Sequence, residues 1–234
     1  MNIVTIEGRQ GSGVRILGRS IAKKLEFDFI DRLVLANIAK KVGSTVEALN
    51  QVEKKIPTLT TKFADSINNM LEKSVAVGMG GDPYFGPGID YILSKPYSSM
   101  DDDLTTAGSK IDYQRFIDTT HEVIKDLGEL GKVVIVSRGG ALILKDNPNA
   151  LKILVVGNIE DRIKNTMDQE KVDKESAEEI IEHADKAQLK YFNDAFQKNP
   201  LDPSSYHCVI NSSKIDFEKS TDIVVDMIKE LNKK

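Results

Sequence analysis

The chain has 234 residues, with 32 Lys and Arg against 36 Asp and Glu and a formal net charge of −4. Its 40% hydrophobic and 29% charged content is ordinary for a globular chain and argues against global disorder. A pI near 5.5, 6% aromatic residues and no tryptophan argue against a dedicated nucleic-acid binder, which needs a basic footprint or a stacking surface.

Cys208 is the only cysteine, so an intrachain disulfide and a cysteine-based zinc site are both excluded. His121, His183 and His207 show none of the short spacings of metal ligands. No apolar run approaches the roughly 18 residues a membrane helix requires, and residues 3–6 follow the N-terminus without a basic leader. The expectation is a soluble, cytoplasmic protein with no metal held by side chains, no membrane partner and no nucleic-acid partner. Length suggests one domain covering residues 1–234.

In chain order, residues 3–6 form a short β-branched run ending at Gly8, and Ile16, Leu17, Ile21, Ala22 and Leu25 then recur at helical spacing. Residues 27–30 are a second apolar run, followed by a helical pattern at Leu33, Leu35, Ile38 and Ala39. Residues 44–52 read as a capped short helix and 59–77 as a longer one. Glycine and proline crowd residues 78–108, which predicts a mobile surface loop. Residues 111–130 are amphipathic, with Phe116, Ile117, Val123, Ile124 and Leu127 on the expected buried face. Residues 133–136, 151–156 and 208–210 are continuous apolar runs, the pattern of parallel strands covered on both faces. Helices are expected at 159–167, 174–196 and 217–231. Five short strands separated by helices predict an α/β fold with a doubly wound, parallel five-stranded sheet.

The first strand–helix junction reads Gly8-Arg9-Gln10-Gly11-Ser12-Gly13-Val14-Arg15. The spacing Gly8-x4-Gly13 is that of a P-loop, in which backbone N–H groups and a helix N-terminus cradle phosphate. Val14 and Arg15 stand where such a loop usually carries Lys and then Ser or Thr. Arg15 can still meet a phosphate bidentately. Two other readings stay open: a glycine turn that merely starts a helix, and a dinucleotide-binding Rossmann turn built on Gly11, Gly13 and the acidic Asp31.

Gly11-Ser12-Gly13-Val14-Arg15-Ile16-Leu17-Gly18, followed by Phe29-Ile30-Asp31-Arg32, resembles the opening of the cytidylate kinase-like family of P-loop kinases. Val134-Ile135-Val136-Ser137-Arg138-Gly139-Gly140-Ala141 is similar to its V-I-V-G-R-G-A segment. Glu160-Asp161-Arg162, the helix with Asp185, Lys186 and Tyr191, and Asp202-Pro203-x-x-Tyr206-x-x-Val209-Ile210-Asn211 follow in the family's order.

The resemblance implies a nucleoside monophosphate kinase fold with an acceptor-binding insertion at 45–112, containing the flexible loop 78–108, and lid helices at 159–197. It implies transfer of the γ-phosphoryl of ATP to CMP or dCMP, with Mg²⁺ held mainly by phosphates and water. ATP would lie on Gly8, Gly11, Ser12, Gly13 and Arg15, with its base near Asn211. The acceptor would meet Asp31, Arg32 and Arg138, while Arg15, Arg162 and Lys186 would serve the transferring group. Arg9, Arg15, Arg32 and Arg138 all follow strand ends, where ligands of open α/β sheets bind. Four positions depart from the family pattern: Val14, Ile16, Ser137 and Gln188, the last standing where an arginine is usual. Those departures keep a second reading open, a catalytically weak or silent nucleotide-binding regulator.

Overall fold

The computed structural model describes residues 2–31 and 107–232. The helices expected at 33–39, 44–52 and 59–77, Arg32, and residues 45–106 of the acceptor-binding insertion lie outside the described residues.

Five strands, β1 (Ile3–Gly8), β2 (Asp28–Ile30), β3 (Val133–Val136), β4 (Ala150–Val156) and β5 (Cys208–Asn211), form one parallel sheet in the order β2-β3-β1-β4-β5. Chain connections leave β1 toward β2 and leave β3 toward β4, so these two adjacent strands flank a topological switch point. The same order decides against the Rossmann reading. There the second strand lies beside the first, whereas here β2 pairs with β3 and β3 separates it from β1.

Both faces of the sheet are covered at β1, β3 and β4, which explains their apolar runs. By contrast β5, expected from its apolar run to be covered on both faces, is an edge strand whose Val209 is 45% exposed. Val4, Ile6, Val134 and Val136 pack with Leu17 and Ile21 of α1 (Val14–Leu25) and Val224 and Ile228 of α6 (Phe217–Leu231). Ile3, Val133 and Ile135 point the other way, toward Val123, Ile124 and Leu127 of α2 (Ala107–Leu130). Each buried Val or Ile contributes on the order of 2 kcal/mol. Gly18 lets α1 lie close to the sheet, since a Cβ there would come within 2.7 Å of the Val136 side chain.

A short helix that the sequence pattern did not signal, α3 (Gly140–Ile143), leads from β3 toward β4. Past β4 stand α4 (Ile159–Glu170) and α5 (Lys174–Phe196), capped by Asn158 and Asp173 accepting the Asp161 and Ser176 N–H groups. Asp216 caps α6 by accepting the Lys219 N–H. Among the described residues no helix is long and apolar enough to cross a membrane.

Candidate active site

The C-terminal ends of β1 and β3 open into a cleft whose walls include Gly8, Arg9, Gly11, Gly13, Arg15, Asp31 and Arg138. Residues 9–13 turn sharply there, with Gly11 and Gly13 at φ of +77° and +86°, a backbone region glycine occupies at little steric cost. Ser12 braces this turn from inside. Its N–H and its hydroxyl both donate to the Arg9 carbonyl, at 3.1 and 2.7 Å, and the residue is buried.

Arg15 and Asp31 meet across the cleft at 3.2 Å, joining the expected ATP-side cation to the expected acceptor-side carboxylate. Asp31 is buried, while the Arg15 side chain is 40% exposed and so remains accessible to a ligand. On the β3 side, Ser137, Arg138 and Gly139 follow one another at φ of 70°, 65° and 72°. Left-handed conformations at non-glycine residues cost about 1–3 kcal/mol each and gather at functional sites. This turn seats the buried Arg138 guanidinium 5.4 Å from the centre of the Tyr191 ring, whose hydroxyl donates to the Arg138 carbonyl.

The outer side of the glycine-rich turn is held by α4 and α5. Arg162 donates from Nε to the Gln10 carbonyl at 2.8 Å, Asn165 donates to the Gly11 carbonyl at 2.8 Å, and Gln188 donates to the Gly8 carbonyl at 3.2 Å. Arg162 also grips Asp185 through Nη2, at 2.7 and 2.8 Å to the two carboxylate oxygens, and Arg9 reaches the same carboxylate at 3.3 Å. Arg162, expected to serve the transferring group, is thus buried against the loop's carbonyl side and does not line the cleft. Lys186 pairs with Glu182 on the exposed face of α5, away from the cleft. Asn211, at the end of β5, turns its side chain onto the Ser213 N–H and also stands outside the cleft.

Glu7, which was not singled out from the sequence, is the most perturbed ionisable group of the cleft. It is the last residue of β1 before Gly8 and is fully buried. Its carboxyl accepts the Gly139 N–H at 3.0 Å and the Gln188 amide at 2.8 Å. Burial lifts its pKa from 4.5 to about 7, against the opposing pull of those hydrogen bonds and of the Arg138 charge. The sequence signal was a charged residue closing an otherwise apolar run, directly before a phosphate-type turn.

A raised carboxyl pKa has a definite sign. The folded protein keeps a proton that the unfolded chain releases, so stability falls as pH rises from about 4.5 to about 7 and then levels off. The loss from this one group is about 3 kcal/mol. Urea unfolding at pH 5 and pH 8 checks it: Glu7→Gln is expected to remove most of the difference, and an unchanged difference refutes the assignment.

The profile of the cytidylate kinase-like family matches residues 3–214. A shikimate kinase from Caldicellulosiruptor bescii is 28% identical over 111 residues, which are 43% of this chain and 62% of that protein. The aligned part therefore spans less than two thirds of that relative. A crystal structure of an uncharacterized protein from Eubacterium ventriosum superposes with a TM-score of 0.63 at 18% identity, covering 98% of this chain and 99% of the other. The shikimate kinase of Acinetobacter baumannii in complex with shikimate superposes with a TM-score of 0.46 at 10% identity, over 98% and 94% of the two chains. With the strand order and glycine-rich turn of a P-loop kinase, and a family profile matched along most of its length, the chain belongs to the cytidylate kinase-like family.

Proposed function

We propose that this chain is an ATP-dependent phosphotransferase whose acceptor is a nucleoside monophosphate, CMP or dCMP. One observation carries the reading: Arg9, Arg15 and Arg138 gather with a glycine-rich turn on one cleft at the sheet's switch point. Phosphoryl transfer needs mainly positioning and cations around dispersed negative charge. Gly8, Gly11, Gly13 and Arg15 would receive the ATP phosphates. Arg9 adds a buried Nε that has no hydrogen-bond partner among the described residues and that a phosphate oxygen could satisfy. Asp31 and Arg138 would orient the acceptor, with Arg32 beside them in sequence. The whole chain would act as one domain, with residues 45–112 as its acceptor-binding insertion.

Mg²⁺ would be held by phosphates and water. Among the described residues no cluster of three His, Cys, Asp or Glu could bind a metal, and the Ser12 hydroxyl already serves the Arg9 carbonyl. When bound, the ion would neutralise the developing phosphate charge.

The placement of Arg162 on Asp185 and of Lys186 on Glu182 supports a second reading, a nucleotide binder with weak or no turnover. ADP release under saturating Mg²⁺ separates the two. The panel is CMP, dCMP, UMP and AMP, with shikimate added because one relative bears the name shikimate kinase. Turnover highest with CMP or dCMP supports the cytidylate reading, and turnover confined to shikimate replaces the acceptor. ATP binding without acceptor-dependent turnover leaves the regulator.

A further inference from the structure

Glu7 occupies a position no catalytic role above uses. Its carboxyl accepts from two separate parts of the molecule, Gly139 in the left-handed turn after β3 and Gln188 reaching in from α5. The same Gln188 amide donates to the carbonyl of Gly8, where the glycine-rich turn begins. Among the described residues the charged and titratable groups facing it are few. The β3 turn supplies Arg138, the segment before β5 supplies Tyr206, whose hydroxyl donates to the Pro200 carbonyl, and α5 supplies only the neutral Gln188.

The Gln188 amide is asymmetric. Its Nε2 serves both Glu7 and the Gly8 carbonyl, while its Oε1 is buried with no hydrogen-bond partner among the described residues. A charged carboxylate can only accept, so it holds Nε2 toward itself. A protonated Glu7 can instead donate its O–H to Oε1 once the amide rotates by half a turn. That rotation satisfies the orphan oxygen and releases the Gly8 carbonyl from α5. The pair therefore has two hydrogen-bonded arrangements, selected by one proton.

We infer that Glu7 is a proton-exchanging positioning residue, taking up a proton when polyphosphate enters the glycine-rich turn and, through Gln188, resetting how α5 is tied to that turn. The physical driver is like-charge repulsion. Phosphate negative charge next to a dry carboxylate favours the neutral carboxyl, and the proton comes from solvent. The inference rests on the nucleotide-binding reading of the same cleft. It goes further by naming Glu7 and Gln188 as the link between the bound anion and the α4–α5 hairpin.

Calorimetric titration of MgATP at pH 7, in buffers of contrasting ionisation enthalpy, tests it. A carboxyl with a pKa of about 7 is half protonated there, so the wild-type protein is expected to take up about half a proton per ATP. Glu7→Gln is expected to bind ATP without that uptake. Gln188→Arg is expected to abolish it as well, because a guanidinium keeps Glu7 charged. Infrared difference spectra of the wild-type protein need no variant and should show a protonated-carboxyl band growing on ATP addition. ATP binding by the wild-type protein with equal heats in all buffers overturns the inference while leaving the nucleotide reading intact. Undiminished uptake in Glu7→Gln overturns it too. Absence of any ATP binding overturns both.

Discussion

Arg162→Ala is expected to lower the unfolding free energy by about 3 kcal/mol, the cost of breaking a buried ion pair from one side. The guanidinium and the Asp185 carboxylate are 7% and 15% exposed, so neither is well solvated when its partner is lost. Arg9, 3.3 Å from the same carboxylate, offsets part of the loss. The Gln10 carbonyl also loses its donor, which leaves the glycine-rich turn held to α4 through Asn165 and the Gly11 carbonyl. Urea denaturation measures the effect, and Asp185→Ala completes a double-mutant cycle. The two changes together should cost less than their sum, because the second removes the charge that the first strands. The opposite pattern, wild-type stability with ATP binding lost, would show that Arg162 acts on the phosphates.

Gly11→Ala is the second large effect expected: about 3 kcal/mol of stability and a roughly tenfold weaker affinity for ATP, the latter equivalent to about 1.4 kcal/mol. Two causes add. At φ +77° an alanine enters a conformation costing about 1–2 kcal/mol. Its Cβ would also lie 2.3 Å from the Arg162 carbonyl oxygen, a backbone atom of α4 that cannot swing aside. Gly13→Ala provides the contrast. It too has positive φ, at +86°, but its Cβ would meet the Phe217 ring at 2.2 Å, and a side chain can be changed. Gly13→Ala combined with Phe217→Leu should recover part of the lost stability in thermal melts. No single side-chain change should do so for Gly11→Ala, and a rescue by Thr166→Ala alone, which removes the hydroxyl 2.8 Å from the new Cβ, would refute the backbone explanation.

Much of the architecture was legible in the one-dimensional pattern. Apolar runs at 133–136 and 151–156 became central strands because each is buried from both sides, which needs nothing more than hydrophobicity and β-branching. Gly8, Gly11 and Gly13 marked the phosphate-type turn for the same reason: sequence spacing dictates local backbone geometry. Helix starts at Asn158, Asp173 and Asp216 were likewise local. The short helix after β3 was not, because four residues carry too little periodicity to register.

The site divides along the same line. Arg15, Asp31 and Arg138 follow strand ends, and a parallel sheet brings strand ends to one rim, so the sequence could bring them together. What a long side chain does after that depends on neighbours far away in the chain. Arg162 and Lys186 are both cations in the region read as the lid. Packing turns one onto Asp185 beneath the phosphate turn and leaves the other on an exposed helical face. Glu7 is the extreme case. Its identity was plain in the sequence, but its near-neutral pKa arises from burial beneath Gly139 and Gln188, residues more than a hundred positions away. The sequence alone determined the sheet, the turn and the rim, because these follow from local periodicity and backbone preference. Only the tertiary structure decided which charges face the cleft and which are buried as struts, because desolvation and pairing depend on contacts that no spacing along the chain encodes.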